Sequence, residues 1–285
     1  MKSPVKTKGR LARAVVLGVL PPLFVLLIWH QASLGSRGTI PRIHEVIDVL
    51  AHPFSDPPLL DSYSLAHSAL ISLLRVLCGF GMAALTAIPL GILVGRVRVV
   101  REIFSPTIEL IRPICPVAWL PVLIITFGLS SVGSLFYGDE AWRHDLLGQL
   151  GIAMIAITWY GAFFPIFVNT VHGVTQVKSL FVEVAKTNGA TDRQVFRYVI
   201  LPASMPAIVA GLRIGMGTAW MVIVAAEFFP GTKSGVGYMI TTAQEVSEYQ
   251  YAFASIVVIG AMGILINAIL GRVERHVGRW QARER

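Results

Sequence analysis

Six apolar runs of membrane-spanning length punctuate the chain, near 14–30, 76–95, 114–130, 148–168, 207–229 and 251–270. A helix needs about 20 mostly apolar residues to cross the hydrocarbon core, so each run predicts a span. After the first comes a polar stretch from Gln31 to Ala66 with Pro41, Pro53, Pro57 and Pro58, and with a periodic segment at Ile43–Ala51 that predicts a short helix. Leu65–Leu77 reads as a helix feeding the second span, where Gly79, Gly81, Gly91 and Gly95 offer small-residue surfaces for close helix contact. The third run opens with Arg112-Pro113-Ile114-Cys115-Pro116 and continues through Trp119-Leu120-Pro121. Its prolines interrupt the helical hydrogen-bond ladder, which a bilayer tolerates where backbone is packed in protein or lines a water-filled path. Trp119 and Pro121 are therefore pathway candidates, with a packing kink as the competing reading. The fourth run carries Trp159, Tyr160 and Phe163-Phe164-Pro165 and ends near Asn169.

The segment between the fourth and fifth spans, 171–205, is mixed in character. Leu180, Val184 and Ala185 recur at helical spacing up to Asn188-Gly189, a pair that suits a helix C-terminus. Thr191-Asp192 then reads as an N-cap for a second helix carrying Val195, Phe196 and Val199, which Leu201-Pro202 is expected to close. Two short amphipathic helices meeting at a glycine corner form an interaction surface.

Composition narrows the class. Of 285 residues, 54% are apolar and 14% charged, against roughly 25% charged in a soluble domain. Mean hydropathy is +0.67, which excludes a soluble enzyme, a disordered tail and a disulfide-stapled secreted domain. The net charge of +8 is distributed by topology. The N-terminal tail, 96–112, 171–205 and the C-terminal tail hold 18 Lys/Arg against 6 Asp/Glu. The opposite side holds Arg37, Arg42, Arg143 and Lys233 against ten acidic residues, several of them in an outer loop at 131–147. Positive charge stays on the cytoplasmic face, so an all-α, multi-pass membrane protein with both termini inside is expected, and nucleic acid is not its partner. The basic Lys2–Arg13 followed by an apolar run also fits a cleaved signal peptide; without a clear A-x-A site, a retained first span is the reading adopted.

Catalytic chemistry is hard to find. Gly231-Thr232-Lys233-Ser234 lacks the spacing of a phosphate loop, Gly215-Met216-Gly217 reads as small-residue packing, and no H-E-x-x-H or G-x-S-x-G occurs. The seven histidines are scattered, so no metal site is expected, and Cys78 and Cys115 read as small core thiols. Ionisable residues within spans are functional candidates by default: Arg75 near a span edge, Arg213 within snorkelling reach of the cytoplasmic face, and Glu227 at the outer end of the fifth span. Both arginines read as anchors or as pathway groups. No carboxylate sits at mid-span, which weakens a proton-driven secondary carrier.

Glu183-Val184-Ala185, three residues, Gly189, nine residues, then Val199-Ile200-Leu201-Pro202 resembles the EAA motif of binding-protein-dependent ABC transporter permeases, with Val184 and Val199 as the departures. The likeness runs from about Ser64 to Trp280. Glu109–Pro113, Ala118–Pro121, Phe164–Thr170, Gly211–Gly215, Ala225-Ala226-Glu227 and Ser234–Tyr238 narrow it to the nitrate/sulfonate/taurine/bicarbonate group. The resemblance implies a type I importer permease fold over 67–280, with 1–66 and 281–285 outside that domain. It implies a second permease copy, an external substrate-binding protein, a bacterial inner-membrane location, and two separate ATPase subunits that bind the ATP, this chain being non-catalytic and without a cofactor. The ATPase-coupling surface it implies comprises Glu183, Ala185, Gly189, Ala190, Arg193, Phe196, Leu201 and Pro202, with Glu183 capping or pairing beside the corner. Trp119, Pro121, Arg213, Trp220 and Glu227 are the pathway expectation, Arg213 supplying positive charge for a small oxyanion. A small organic nutrient is the alternative cargo within the family, and a secondary carrier the alternative class.

Overall fold

Every apolar run folds as helix, though not always as one straight span. The computed structural model describes residues 5–36, 38–58, 63–128, 130–137 and 145–277. In chain order these form α1 (Val5–Gly35), α2 (Ile43–Ala51), α3 (Leu65–Arg96), α4 (Arg98–Ile111), a 3-10 turn at Pro116–Trp119, α5 (Leu120–Phe127), α6 (Val132–Tyr137) and α7 (Asp145–Gly148). They continue with α8 (Ile152–Thr175), α9 (Ser179–Thr187), α10 (Asp192–Val195), a π-helical turn at Phe196–Ile200, α11 (Leu201–Ala226), α12 (Val236–Glu245) and α13 (Tyr249–Val277). Among the described residues five helices are long and apolar enough to span a membrane, six if a bent pair counts as one span. Lys2, the charged residues Asp139, Glu140, Arg143 and His144 of the outer loop, and the tail 281–285 lie outside the described residues.

Glycine sets the register of the central helices. A Cβ on Gly79, Gly91 or Gly95 of α3 would fall 2.6–2.8 Å from the Cβ of Thr158, Thr170 or Val174 of α8, a constant offset of 79 residues. The two helices therefore run parallel, and buried Ala83 and Ala87 continue the small-residue stripe between the outer glycines. Gly81 faces open space and takes no part. On its other side α8 packs antiparallel to α11, where Gly211 and Gly215 meet Asn169 and Ile166 at 2.7 Å and Gly173 meets Ala207 at 2.8 Å. Small residues let the backbones approach closely, which is how helices associate where lipid removes the hydrophobic drive. Val76, Ile157, Ile166, Phe167, Ala219 and Ile223 fill the resulting core.

The third span departs from expectation. The chain 96–112 was expected as a basic cytoplasmic segment and 114–130 as a span. Instead α4 and the Pro116–Phe127 helices form two arms meeting at 86° across a break at 112–115. Pro113 and Pro116 lack the N–H groups that continuation would need. Val100 and Ile108 of α4 pack on the core, and Arg112 lies beside Phe167 and Val168 in the second half of α8. Leu201-Pro202 also behaves differently: it does not close a helix. Pro202 follows the π-helical turn at Phe196–Ile200, where the Leu201 N–H donates five residues back to the Phe196 carbonyl, and helix runs without a gap from Asp192 to Ala226.

At the end remote from α9 and α10, Val46 of α2 packs with Leu65, Met239, Ile240, Ala243 and Ala252. The Pro-rich stretch is thus pinned by its helix, whose first turn is held by the Arg42 N–H donating to the Glu45 carboxylate at 2.8 Å. Helix α1 leans on α13 through Trp29, whose ring lies 5.4 Å from that of Phe253 and whose indole donates to the Pro41 carbonyl at 3.0 Å. Cys78 and Cys115 are both exposed rather than core thiols.

Candidate functional site

The corner between α9 and α10 is built by backbone geometry. Gly189 has φ +80° with nothing within 4 Å of where a Cβ would stand, so its requirement is conformational and not steric. The Gly189 N–H donates to the Lys186 carbonyl (2.9 Å) and the Ala190 N–H to the Ala185 carbonyl (3.0 Å), the paired bonds of a Schellman ending. Asn188 adds its amide to the Val184 carbonyl at 2.7 Å. Two residues on, a capping box starts α10: the Gln194 N–H donates to Thr191 Oγ1 and the Thr191 N–H to Gln194 Oε1. Lys186 and Asp192 pair across the corner at 3.1 Å. The result is a rigid, exposed knuckle with a shallow groove of about 310 Å³ lined by Ala185, Asn188, Gly189, Ala190, Val195 and Tyr198 among others.

Around that knuckle Leu180, Phe181, Val184 and Tyr198 expose apolar surface. Arg193 is exposed, while Phe196 lies under the Arg96 guanidinium at 5.0 Å, tying the π-helical turn after α10 to the end of α3. Leu201 and Pro202 sit on the same continuous rod. Glu183 does not cap or pair: it is exposed and its carboxylate has no hydrogen-bond or ion-pair partner among the described residues, the capping being done by Asn188 and the pairing by Lys186.

A second constellation closes the opposite end. Arg75, expected as an anchor or pathway group, is 2% exposed and spends its N–H groups inward. Nη1 donates to Glu227 Oε1 at 2.7 Å and to the Ser234 carbonyl at 2.8 Å. Nη2 meets the Gln149 carbonyl, Thr232 Oγ1 and Ser234 Oγ, and Nε the Gln149 carbonyl. Glu227, expected on the pathway, is wholly enclosed and also accepts from Ser72 Oγ (2.8 Å) and the Gly237 N–H (3.0 Å). Gly235, at φ +114°, and Gly237 are the only residue type that fits, because a Cβ would fall 2.3 Å from the Glu227 carboxylate or 2.5 Å from the Val224 carbonyl oxygen. The cluster thus straps the 228–235 turn and α12 onto α3.

Two grooves open beside α11. One, of about 620 Å³, is lined by Arg213, Gly217, Thr218, Trp220, Asn267 and Glu274 among others. In it Arg213 donates to Glu274 Oε2 at 2.6 Å and to Asn267 Oδ1 at 2.8 Å, and Trp220 is buried with its indole on the Ile259 carbonyl. The other, of about 370 Å³, runs along the break in the bent span and is lined by Arg112, Tyr160, Phe164 and Asn169 among others. Trp119 packs on Tyr160 (ring centroids 6.1 Å) behind it, and Pro121 is exposed on the first turn of α5. Among the described residues no cluster of His, Cys, Asp or Glu could hold a metal.

Comparison with known proteins fits this geometry. Residues 87–283 match the family of binding-protein-dependent transport system inner membrane components. The chain belongs to this family. It is 36% identical over 271 residues to a protein of Methanocaldococcus jannaschii named as an ABC transporter permease, covering 94% of this chain and 93% of that one. It is 30% identical over 278 residues to the taurine transport system permease protein TauC of Escherichia coli (96% and 93% covered). Identity to the bicarbonate transport system permease protein CmpB of Synechococcus elongatus is 29% over 272 residues (92% and 90%). In fold it is similar to a chain of the inward-facing MetNI methionine ABC transporter, with TM-score 0.59 at 19% identity, covering 75% of this chain and 95% of that one. The bacterial alginate ABC transporter gives TM-score 0.52 at 17% identity, with 96% and 95% covered. The all-helical type I importer permease fold is thereby shown.

Within this ABC importer permease the structure gathers Ala185, Gly189 and Ala190 at one knuckle, with Phe196, Leu201 and Pro202 on the rod behind it. It does not gather the five pathway candidates: Arg213 and Trp220 share one groove, Trp119 and Pro121 belong to the break, and Glu227 is enclosed. Arg75 as the partner of Glu227 went unread in the sequence. The usable signal was a lone cation and a lone carboxylate at the same end of two spans, followed by a Ser-Gly-Val-Gly run.

Proposed function

We propose that this permease subunit imports a small oxyanion, of the nitrate, sulfonate/taurine or bicarbonate class. The observation carrying the reading is the near full-length likeness, at about 30% identity, to permeases named for taurine, bicarbonate and aliphatic sulfonates. Two copies of the chain form the pore in the bacterial inner membrane, with the knuckle and both termini facing the cytoplasm and a substrate-binding protein delivering cargo at the Arg75–Glu227 end. Two ATPase subunits bind and hydrolyse ATP, and the chain itself carries no cofactor. Glu183, Ala185, Gly189, Ala190, Arg193 and Phe196 present the docking surface, while Leu201 and Pro202 begin the rod that carries its movement into the membrane. The unbroken helix from Asp192 to Ala226 supports that role, since a rod transmits displacement that a loop would absorb. Trp119, Pro121, Arg213 and Trp220 flank the route, and alternating access follows from differential contacts in the two states.

The test is co-purification from native membranes with Gly189→Arg as the control, joined to uptake of labelled taurine, bicarbonate and ethanesulfonate by cells. An ABC ATPase recovered with the intact chain and lost with the variant, together with vanadate-sensitive, ionophore-insensitive uptake of one of these anions, is the expected result. Uptake of an uncharged or cationic nutrient instead would overturn the oxyanion assignment, and a chain recovered without any ATPase would overturn the coupling assignment.

A further inference from the structure

Arg112 stands apart from the other cations of the membrane-embedded core. Arg75 and Arg213 are committed to Glu227 and Glu274, whereas the Arg112 guanidinium has neither an ion pair nor a hydrogen bond among the described residues. Its position is unusual too. It ends α4 at the 86° break and is exposed, lining one groove with Tyr160 to Asn169 and the adjoining one with Phe167 to His172, so it stands against the second half of α8, inside the end of that helix at Thr175. An unpaired charge set against a membrane-spanning helix inside its end marks a functional position.

The surroundings of Arg112 are suited to an anion. The groove it lines, with Ile114, Pro116, Tyr160, Phe164 and Asn169, has aromatic and aliphatic walls and no acidic residue. Glu109, the nearest carboxylate in sequence, lines the adjoining groove with Arg112 and His172 but makes no ion pair with either. Behind the wall Trp119 Nε1 is shielded from solvent and has no hydrogen-bond partner, an unused donor packed on Tyr160. The Tyr160 hydroxyl donates to the Ile111 carbonyl at 2.9 Å, which satisfies the broken end of α4 and fixes the site next to Arg112. A guanidinium fork matches the paired oxygens of a carboxylate or sulfonate. In the other groove the Arg213 charge is cancelled by Glu274, so that groove offers an anion much less.

We propose that the groove at the span break is an anion-binding station, in which Arg112 holds a small monovalent oxyanion by its guanidinium and Trp119 is the reserve donor. This deepens the oxyanion reading above and rests on it for the identity of the cargo. The station places the selective charge at the bend of the broken span, with Arg213 serving as a structural tie between α11 and α13.

Cys115 provides a native reporter, since it is exposed and lies between the groove-lining Ile114 and Pro116. The full chain is labelled in native membrane vesicles in a Cys78→Ser background, which removes the other exposed thiol. Rates are measured for a sulfonate-bearing and a trimethylammonium-bearing methanethiosulfonate, each normalised to free cysteine. The expected result is a preference of about tenfold for the anionic reagent, as a focused local potential gives. That preference disappears in Arg112→Gln and persists in part in Arg112→Lys. Ethanesulfonate slows labelling of the wild-type residue, while choline at equal ionic strength does not. Equal preference in wild type and Arg112→Gln, or no protection by ethanesulfonate, overturns the station. Recovery of the ATPase with each variant confirms a folded chain. Uptake decides the cargo separately: anion-selective labelling without uptake of any tested oxyanion leaves the station standing and refutes the oxyanion importer.

Discussion

Breaking the Arg75–Glu227 pair exposes the energetics of the closed end of the permease. Glu227→Gln keeps the side-chain shape but presents an NH₂ group to three converging donors, from Ser72, Arg75 and Gly237. It also leaves Arg75 charged at 2% exposure. Removing one member of a buried pair costs about 3–5 kcal/mol, and the groups are too enclosed for bulk salt to compensate. At roughly 2–4 °C per kcal/mol for a large domain, the single variants Glu227→Gln and Arg75→Met each lower the melting temperature by about 6–20 °C. The double variant Arg75→Met/Glu227→Met removes both charges and fills similar volume, so its loss is smaller than the sum of the singles by about 2–3 kcal/mol. It stays below wild type, because the Gln149 and Ser234 carbonyls each lose the hydrogen bonds that Arg75 gives them. Size-exclusion fluorescence after graded heating in mild detergent, at low and high salt, reads all four proteins. Singles within about 2 °C of wild type, or a double variant as poor as the two singles combined, would refute a buried and mutually dependent pair.

Three further outcomes follow from glycine geometry. Gly79→Ala puts a methyl 2.6 Å from Thr158 and lowers stability by about 1–3 kcal/mol; Gly81→Ala, two residues away in open space, is neutral or stabilises by up to about 1 kcal/mol in the same melting assay. At the knuckle, Gly189→Val strains a backbone at φ +80° by about 1–2 kcal/mol and reduces ATPase recovery, while Gly189→Asn, which tolerates that region, retains most of it; equal recovery of both would show that conformation at 189 is immaterial to docking. Gly235→Ala combines φ +114° with a Cβ 2.3 Å from the Glu227 carboxylate. It matches or exceeds the loss seen in Glu227→Gln, and a near-normal melting temperature would contradict the placement of the Ser234–Gly237 strap.

Periodicity and charge were enough to place five of the six spans, because an apolar run of that length has few alternatives in a bilayer. The corner was equally legible: Asn188-Gly189 and Thr191 are local signals whose backbone consequences need no partner. What escaped were the features created by distance. Glu227 and Arg75 lie 152 residues apart, and only the parallel packing of α3 and α8 and the return of α11 bring them together. Likewise Arg213 looked free because Glu274 sits on another helix. The 112–115 elbow was visible as prolines, yet its angle depends on where Val100 and Ile108 find core to pack against. Pro202 misled for a simpler reason, since the π-helical turn before it carries the helix through a residue that usually ends one.

The contact between α3 and α8 has a dynamic consequence. To slip by one step along the glycine stripe, the pair would have to shift four residues, about 6 Å of rise, and carry each glycine over a β-branched side chain at Thr158, Thr170 or Val174. With α11 fitted to the far side of α8 through its own glycines, the three helices make a beam that translates or tilts as a whole. Force arriving at the knuckle enters that beam through α11 with little slack, and the compliance of the subunit is left to the elbow at 112–115 and to the looser seams beside α13.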